Sequence, residues 1–317
     1  MVSVITLKRI GGASLVALLS RSLTMAIGLG ITILLTRVLS PNDLSNYWIL
    51  LSALGFVVLV AHSGVGQVAI SQISQAIARD HIFDAMSTAS NSAGVVLIGA
   101  LISSGLAVVV LLVSLSESGV MSSWLILLFL TAGMLISAAM LWVDFLRAQQ
   151  RLHEASWLWA QPQSGGLLPS TLLLGFLICT LAFGVPLNLI QVLLVLLGGW
   201  SLMMVALLAL VSKPVALKPR LRALSLAGVV NLTVSSWPVV LSGLALFVVT
   251  QADLWFIHNF RSVEETVAYG LAANFVKYVS SANVLLGSLL PGFVGQYWAK
   301  GDLVRLTSVL VKLARLA

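Results

Sequence analysis

Apolar residues occur along this chain in long runs, and the short segments between the runs hold most of the charged residues. A helix needs about 20 apolar residues to cross a bilayer. Runs of this length predict about eight transmembrane helices, at residues 14–38, 46–68, 92–115, 121–143, 164–184, 188–211, 232–256 and 267–291. We therefore expect an all-α polytopic membrane protein.

The composition supports a membrane protein and excludes an ordinary soluble one. Hydrophobic residues make up 59% of the 317 residues and charged residues only 9%, whereas soluble proteins carry about 25% charged residues. The mean hydropathy is +1.08. The single cysteine, Cys179, excludes a disulfide within the chain, and the four histidines lie in different segments. We predict no metal site and no cofactor.

Motifs of common enzyme classes are missing from the sequence. The chain contains no Walker A loop, no GxSxG motif and no HExxH motif. The glycines of "GLGIT" lie inside a predicted membrane helix and lack the third glycine of a dinucleotide site. We therefore predict no catalytic residue and no enzyme activity.

The lysines and arginines give the predicted orientation. With the N-terminus in the cytoplasm, thirteen of the 17 fall on the cytoplasmic side, only Arg37 and Arg261 fall outside, and Arg21 and Lys277 lie within the membrane. This is the bias that the positive-inside rule describes. The net charge of +7 is thereby explained by topology, without nucleic-acid binding. The longer cytoplasmic segments, "SQISQAIARDHIFDAMSTAS" and "DFLRAQQRLHEASW", predict interfacial amphipathic helices.

A basic segment divides the predicted spans into two groups. Its sequence "SKPVALKPRLRAL" holds four cations and two prolines. We predict three parts: a six-helix transmembrane lobe at 1–211, a basic cytoplasmic connection at 212–231, and a partial second lobe at 232–317 with spans seven and eight and an amphipathic segment. A parallel repeat supports this division, because aligning Tyr47 with Tyr269 also aligns Asp80 with Asp302.

Two cations lie inside predicted spans. Lys277 is ten residues into the eighth span, near the bilayer centre, and Arg21 is about two turns into the first span. Such residues are costly in a membrane and usually face the interior of the helix bundle. We predict that both line a cavity and bind an anionic substrate. A structural ion pair or a slightly shifted helix register stays open for Lys277, and a side chain that reaches the headgroups stays open for Arg21.

Polar residues and a proline mark the seventh span. Gln251 and Asp253 lie at its outer end, where Asp253 either pairs with Lys277 or Arg21 or marks the interface. Pro238 removes a helix hydrogen bond near the start of the span and favours a bend suited to a gate. We assign gating or pairing roles to Asp253, Gln251 and Pro238.

Two further polar residues are candidates for the cavity lining. Asn274 lies on the eighth span, and His62 lies toward the inner end of the second. The common alternative for Asn274 is an interhelical hydrogen bond. For His62 we expect a packed or interfacial position in preference to a proton relay.

Several segments resemble a known family, the Wzx-type polysaccharide biosynthesis flippases. "LLTRVLSPNDLSNYWILLSALGFVVLVAHSGVGQ" resembles their opening spans, "LWFIHNFRSVEETVAYGLAANF" their span seven to eight junction, and "FLRAQQRLHEAS" their loop after span four. The resemblance implies the multidrug/oligosaccharidyl-lipid/polysaccharide exporter superfamily, whose members have two six-helix lobes around a cavity that opens alternately to each side. This chain departs from that pattern because it stops after the eighth span.

The resemblance also implies a cargo. Wzx-type members move undecaprenyl-diphosphate-linked oligosaccharides from the inner to the outer leaflet of the bacterial cytoplasmic membrane, for O-antigen, capsule or exopolysaccharide assembly. Related lipid II flippases carry cavity cations on spans one and eight, which Arg21 and Lys277 match. The implied partners are the anionic lipid-linked sugar, membrane lipids and other polysaccharide-assembly proteins. A cation-coupled multidrug exporter of the same superfamily and a non-transporting membrane scaffold stay open as alternatives.

Overall fold

A computed structural model describes residues 2–115, 123–158, 166–211 and 224–276, with scattered positions between 294 and 311. Within these segments the chain folds into helices and no strand occurs. The helices are α1 (Val2–Val38), α2 (Pro41–Ala78), α3 (Ile82–Ser114), α4 (Ser123–Ala148), α5 (Leu152–Trp157), α6 (Leu167–Phe183), α7 (Leu189–Val211), α8 (Leu226–Phe260) and the described part of α9 (263–276). The predicted all-α fold class is confirmed.

Five described helices are long and apolar enough to cross a membrane, namely α2, α3, α4, α7 and α8. Shorter apolar helical stretches lie at 22–38 and 167–183. Each predicted span overlaps one of the helices α1 to α4 or α6 to α9. The helix α8 begins at Leu226, inside the predicted connection, because the Ser225 hydroxyl accepts a hydrogen bond from the Gly228 N–H and caps the helix there.

The connection between α2 and α3 is a tight turn. The helix α2 continues to Ala78 and α3 starts at Ile82, so they occupy most of the segment for which we predicted an interfacial helix. Asp80 in the turn has a φ of 60°, a conformation that aspartate adopts more readily than most residues. In the second such segment, α4 extends to Ala148 and only the short α5 follows.

The helix α2 forms the centre of the described bundle. It packs against α3, α4 and α8, whereas α1 packs against α6, and α7 packs against both α4 and α6. In the most apolar 18-residue stretch of α2, 76% of the described residues are buried, compared with 11% for α8. Large side chains such as Ile49, Leu54, Ile136 and Trp200 fill the core around α2. This helix therefore joins the helices of the first predicted lobe to α8.

Candidate functional site

The structure describes neither side chain of the two cations predicted to bind the substrate. Lys277 lies outside the described residues, and Arg21 belongs to α1 but its side chain lies outside the described part of the structure. Arg21 precedes Gly28 by seven residues, which is two helical turns, so the two positions share one face of α1. The substrate-binding roles of both cations stay predictions.

Gly28 borders a small pocket where five helices meet. The lining comes from α1, α2, α6, α7 and α9 and includes Gly28, Thr32, Tyr47, Trp48, Ser170 and Asn274. Asn274 is buried, and its Nδ2 donates to the Gly270 carbonyl of its own helix at 2.8 Å. The indole Nε1 of Trp48 is buried without a hydrogen-bond partner in the described structure. Asn274 therefore lies beside a pocket with polar groups, and its part in cargo binding stays a prediction.

Gln251 is buried at the contact between α8 and α2. Its Oε1 accepts a hydrogen bond of 3.0 Å from the Ser52 hydroxyl of α2. The same hydroxyl accepts the indole N–H of Trp255 at 3.0 Å. Further along both helices, the Ser45 hydroxyl lies 3.1 Å from Nδ1 of His258. Neutral hydrogen bonds thus hold α8 to the first half of α2.

Asp253 faces away from this contact and is exposed. One of its carboxylate oxygens accepts a hydrogen bond of 2.7 Å from the Tyr269 hydroxyl of α9. This bond ties α8 to α9 beyond the short connection between them. The predicted pairing of Asp253 with Lys277 or Arg21 stays a prediction.

His62 belongs to a buried ionic cluster that bridges α2 and α4. Its Nε2 lies 2.8 Å from Oδ2 of Asp144, and Arg147 donates to Oδ1 of the same carboxylate at 2.7 Å. The His62, Asp144 and Arg147 side chains are 7%, 5% and 11% exposed. His62 is therefore a packed residue that contacts a charged partner, and its predicted part in a cavity lining stays a prediction.

Glycines on α2 permit close approach on both sides of this cluster. A Cβ at Gly66 would lie 2.4 Å from Oδ2 of Asp144 and 2.8 Å from Nε2 of His62. A Cβ at Gly64 would lie 2.5 Å from the Ser236 carbonyl oxygen of α8. Within one turn, α2 thus meets α4 on one side and the backbone of α8 on the other. Pro238, two residues after Ser236, is exposed and lies inside the continuous helix α8.

Sequence reasoning missed Asp144 and Arg147 as partners of His62. The predicted fourth span ends at residue 143, which places both residues in a predicted interfacial segment. The i,i+3 spacing of an acid and a base on one helix face was the available signal. The polar contacts of Ser52 and Ser45 carried no such signal, because serine in a membrane helix commonly bonds within its own helix.

The described residues contain no group of three or more His, Cys, Asp or Glu side chains that could hold a metal ion. Cys179 is exposed and free. The chemistry of the described site is therefore that of hydrogen bonds, one buried ionic cluster and a pocket with polar edges.

Comparison with known proteins identifies a family. Residues 12–294 match the family model described as polysaccharide biosynthesis protein. None of the curated proteins matches the chain.

Solved structures of transporters resemble this one. A MOP superfamily transporter from Pyrococcus furiosus, whose binding pocket is described as having reverse polarity that suggests a different function, aligns with a TM-score of 0.65 at 16% identity, over 98% of this chain and 69% of that chain. A crystal structure of MATE in complex with MaD3S aligns with a TM-score of 0.55 at 16% identity, over 96% of this chain and 70% of that chain. At these identities the likeness shows a shared fold, that of MOP and MATE transporters.

Proposed function

This chain belongs to the polysaccharide biosynthesis protein family, and we propose that it is a multi-pass membrane transporter, a flippase for an undecaprenyl-diphosphate-linked oligosaccharide. In this proposal it moves the lipid-linked sugar from the inner to the outer leaflet of the bacterial cytoplasmic membrane by alternating access. The match of residues 12–294 to a family of polysaccharide biosynthesis, on a transporter fold, is the observation that carries the proposal. In the outer leaflet, other assembly proteins would use the lipid-linked sugar to build O-antigen, capsule or exopolysaccharide.

The charge of the cargo fits the cations of the chain. A lipid diphosphate needs charge-assisted hydrogen bonds when it leaves water, and Arg21 and Lys277 are the cations within predicted spans. Lys277 follows Asn274 by three residues, the spacing that puts two side chains on one face of a helix. Gly28 and Asn274 both line the pocket, and Arg21 precedes Gly28 by two helical turns on α1. The apolar tail of the cargo can stay in the lipid.

The moving parts in this proposal are the two predicted lobes, 1–211 and 232–317, joined by the connection 212–231. The described contact between them includes the packing of α8 against α2 and α3, neutral hydrogen bonds and the close approach at Gly64. Gln251 lies in that contact, and Asp253 and Pro238 lie on the same helix. We assign to Gln251 the role of holding α8 against α2 when the two lobes are in contact.

Leaflet transfer of a fluorescent lipid-diphosphate sugar in proteoliposomes tests the proposal. The parent chain is compared with Lys277→Ala and Arg21→Ala, and with Arg37→Ala as the control, because Arg37 is an exposed cation on the same helix as Arg21. We expect transfer by the parent and by the control, and loss of most transfer in the other two variants. Normal transfer by Lys277→Ala would show that this lysine does not face the cargo.

A different cargo would also show in this assay. If the folded parent moves no lipid-linked sugar and a drug-efflux assay responds, the chain is a cation-coupled exporter. If neither assay responds, the non-transporting scaffold is the better description. N-terminal and loop accessibility labelling in cells separately tests the proposed cytoplasmic N-terminus.

A further inference from the structure

The ionic cluster of His62, Asp144 and Arg147 has no part in the proposed binding of the cargo. It joins α2 to α4, and the His62 and Asp144 side chains are nearly inaccessible. The helices α2 and α4 that carry the cluster are both long and apolar enough to cross a membrane, and ionisable residues in such helices are rare and often mark ion pathways or proton relays. A merely structural contact between two helices would be made at less cost by apolar side chains. The cluster therefore points to a function that needs charge.

The hydrogen bonds of the cluster leave one position open for a proton. Asp144 accepts on both oxygens, from Arg147 and from His62. A neutral imidazole has one N–H, and the contact with a carboxylate oxygen places it on Nε2. The other ring nitrogen, Nδ1, is buried and has no hydrogen-bond partner in the described structure. A proton can add to that lone pair without breaking a bond of the cluster.

We propose that His62 and Asp144 form a proton-binding site, in which Nδ1 of His62 gains and loses one proton in each transport cycle. The added proton turns the imidazole into a cation beside the Asp144 carboxylate. Attraction between such charges is much stronger in a medium of low polarity than in water, so the proton strengthens the contact between α2 and α4. The link to a transport cycle rests on the proposed flippase function, and the proton site itself does not.

The position of the cluster connects it to α8. Gly66 leaves the room in which His62 and Asp144 meet, and Gly64, two residues earlier, lets the Ser236 carbonyl of α8 approach α2. Both contacts thus share one turn of α2. Packed helices shift between discrete arrangements instead of deforming smoothly. A change in the contact of α2 with α4 therefore changes how α8 packs against the same turn of α2.

Asp144 and Arg147 are the charged groups that face His62 among the described side chains. Other described ionisable groups on helices packed against α2 are Asp84 on α3, Asp253 and His258 on α8, and Arg37 on α1. His258 lies beside Ser45, seventeen residues and about 25 Å along α2 from His62. Asp84 pairs with His81 at the start of α3. The helix α7 contains no ionisable residue.

Two variants isolate the proton. In His62→Gln, the side-chain amide keeps a donor toward Asp144 but cannot take up a proton. His81→Gln is the matched control, because His81 pairs with Asp84 at 3.3 Å on the surface, where the two side chains are 62% and 73% exposed. Both variants replace a histidine that contacts an aspartate, but only the His62 pair is buried.

The first measurement is NMR of the solubilised full chain with nitrogen-15-labelled histidine, which needs no cargo. We expect one ring signal, lost in His62→Gln and kept in His81→Gln, to change from the neutral to the protonated form as the pH is lowered. A His62 signal that keeps one form over the whole pH range in which the protein is folded would overturn the proton site.

The second measurement is lipid transfer in proteoliposomes with and without an imposed pH gradient. We expect the gradient to change the rate several-fold for the parent and for His81→Gln, and to have no effect on His62→Gln. A gradient response that survives in His62→Gln overturns the coupling, as does a parent that transfers lipid at one rate with or without the gradient. A parent that moves no lipid overturns the flippase function instead, and the NMR titration still decides the proton site.

Discussion

The hydroxyl of Ser52 on α2 donates to Oε1 of Gln251 on α8 at 3.0 Å, and both side chains are buried. The same hydroxyl accepts the indole N–H of Trp255. One small side chain thus satisfies two larger ones across the contact of the two helices. Because polar groups within a membrane need partners from the protein, this arrangement fixes how α8 is placed along α2.

We expect Ser52→Ala to destabilise the protein by about 0.6–2 kcal/mol, within the range measured for interhelical hydrogen bonds in membranes and for lost buried partners. The variant leaves Gln251 Oε1 and Trp255 Nε1 without the hydroxyl that both contact. Denaturant-induced unfolding in mixed micelles, followed by tryptophan fluorescence, measures the change.

Ser242→Ala is the control for this prediction. Ser242 is an exposed serine of α8, and its hydroxyl donates to the Pro238 carbonyl within the same helix. We expect its effect to stay within about 0.5 kcal/mol. An equal loss of stability in the two variants would mean that the hydrogen bonds of Ser52 between α2 and α8 do not contribute to the free energy of unfolding.

The course of the helices could be predicted from the sequence because a membrane span needs a minimum length of apolar residues. The apolar runs located eight of the nine described helices, namely α1 to α4 and α6 to α9, and missed only the short α5. The exact ends could not be predicted in the same way. Leu226 and Ala78 lie outside the predicted spans, and their place in a helix follows from a capping serine and from a tight turn at Asp80.

The site could be predicted only as a set of candidate residues. His62 and Gln251 are candidates because they are polar residues within apolar spans, but the sequence does not say which helices pack together. The partners of these residues, Asp144 and Ser52, lie 82 and 199 positions away. Pairing at such separation is a property of helix packing, so it becomes visible only once α2 is placed against α4 and α8.

We expect Asp144→Ala to cost about 3–5 kcal/mol, the range found when one member of a buried ion pair is removed. His62 and Arg147 would both lose the carboxylate that they contact. The free energy of unfolding in mixed micelles measures the loss.

The matched variant for this prediction is Asp84→Ala. Asp84 also pairs with a histidine, His81, but on the surface, where such pairs are worth about 0–1 kcal/mol. Comparable losses in the two variants would show that burial does not strengthen the contact with Asp144.

We expect Pro238→Ala to raise stability and to slow lipid transfer. A proline inside a helix costs about 3 kcal/mol or more, because it removes a hydrogen bond and crowds the preceding turn. Pro238 is exposed, so its replacement removes no core packing. Thermal unfolding and the leaflet-transfer assay measure the two effects.

Pro41→Ala serves as the control, because proline is favourable at the first position of α2. Unchanged transfer in a stabilised Pro238→Ala would remove the proposed gating role.

Gly64 and Gly55 lie on the same helix, and their replacement by alanine should have opposite effects. Alanine at Gly64 would put its Cβ 2.5 Å from the Ser236 carbonyl oxygen, whereas a Cβ at Gly55 meets nothing within 4 Å. Because backbone atoms cannot swing aside, Gly64→Ala must push α8 away from α2, and we expect a loss of about 1–3 kcal/mol. Gly55→Ala gains up to about 1 kcal/mol of helix propensity. Unfolding in mixed micelles compares the two variants, and a Gly64→Ala protein as stable as Gly55→Ala would show that α8 does not press against α2 at this point.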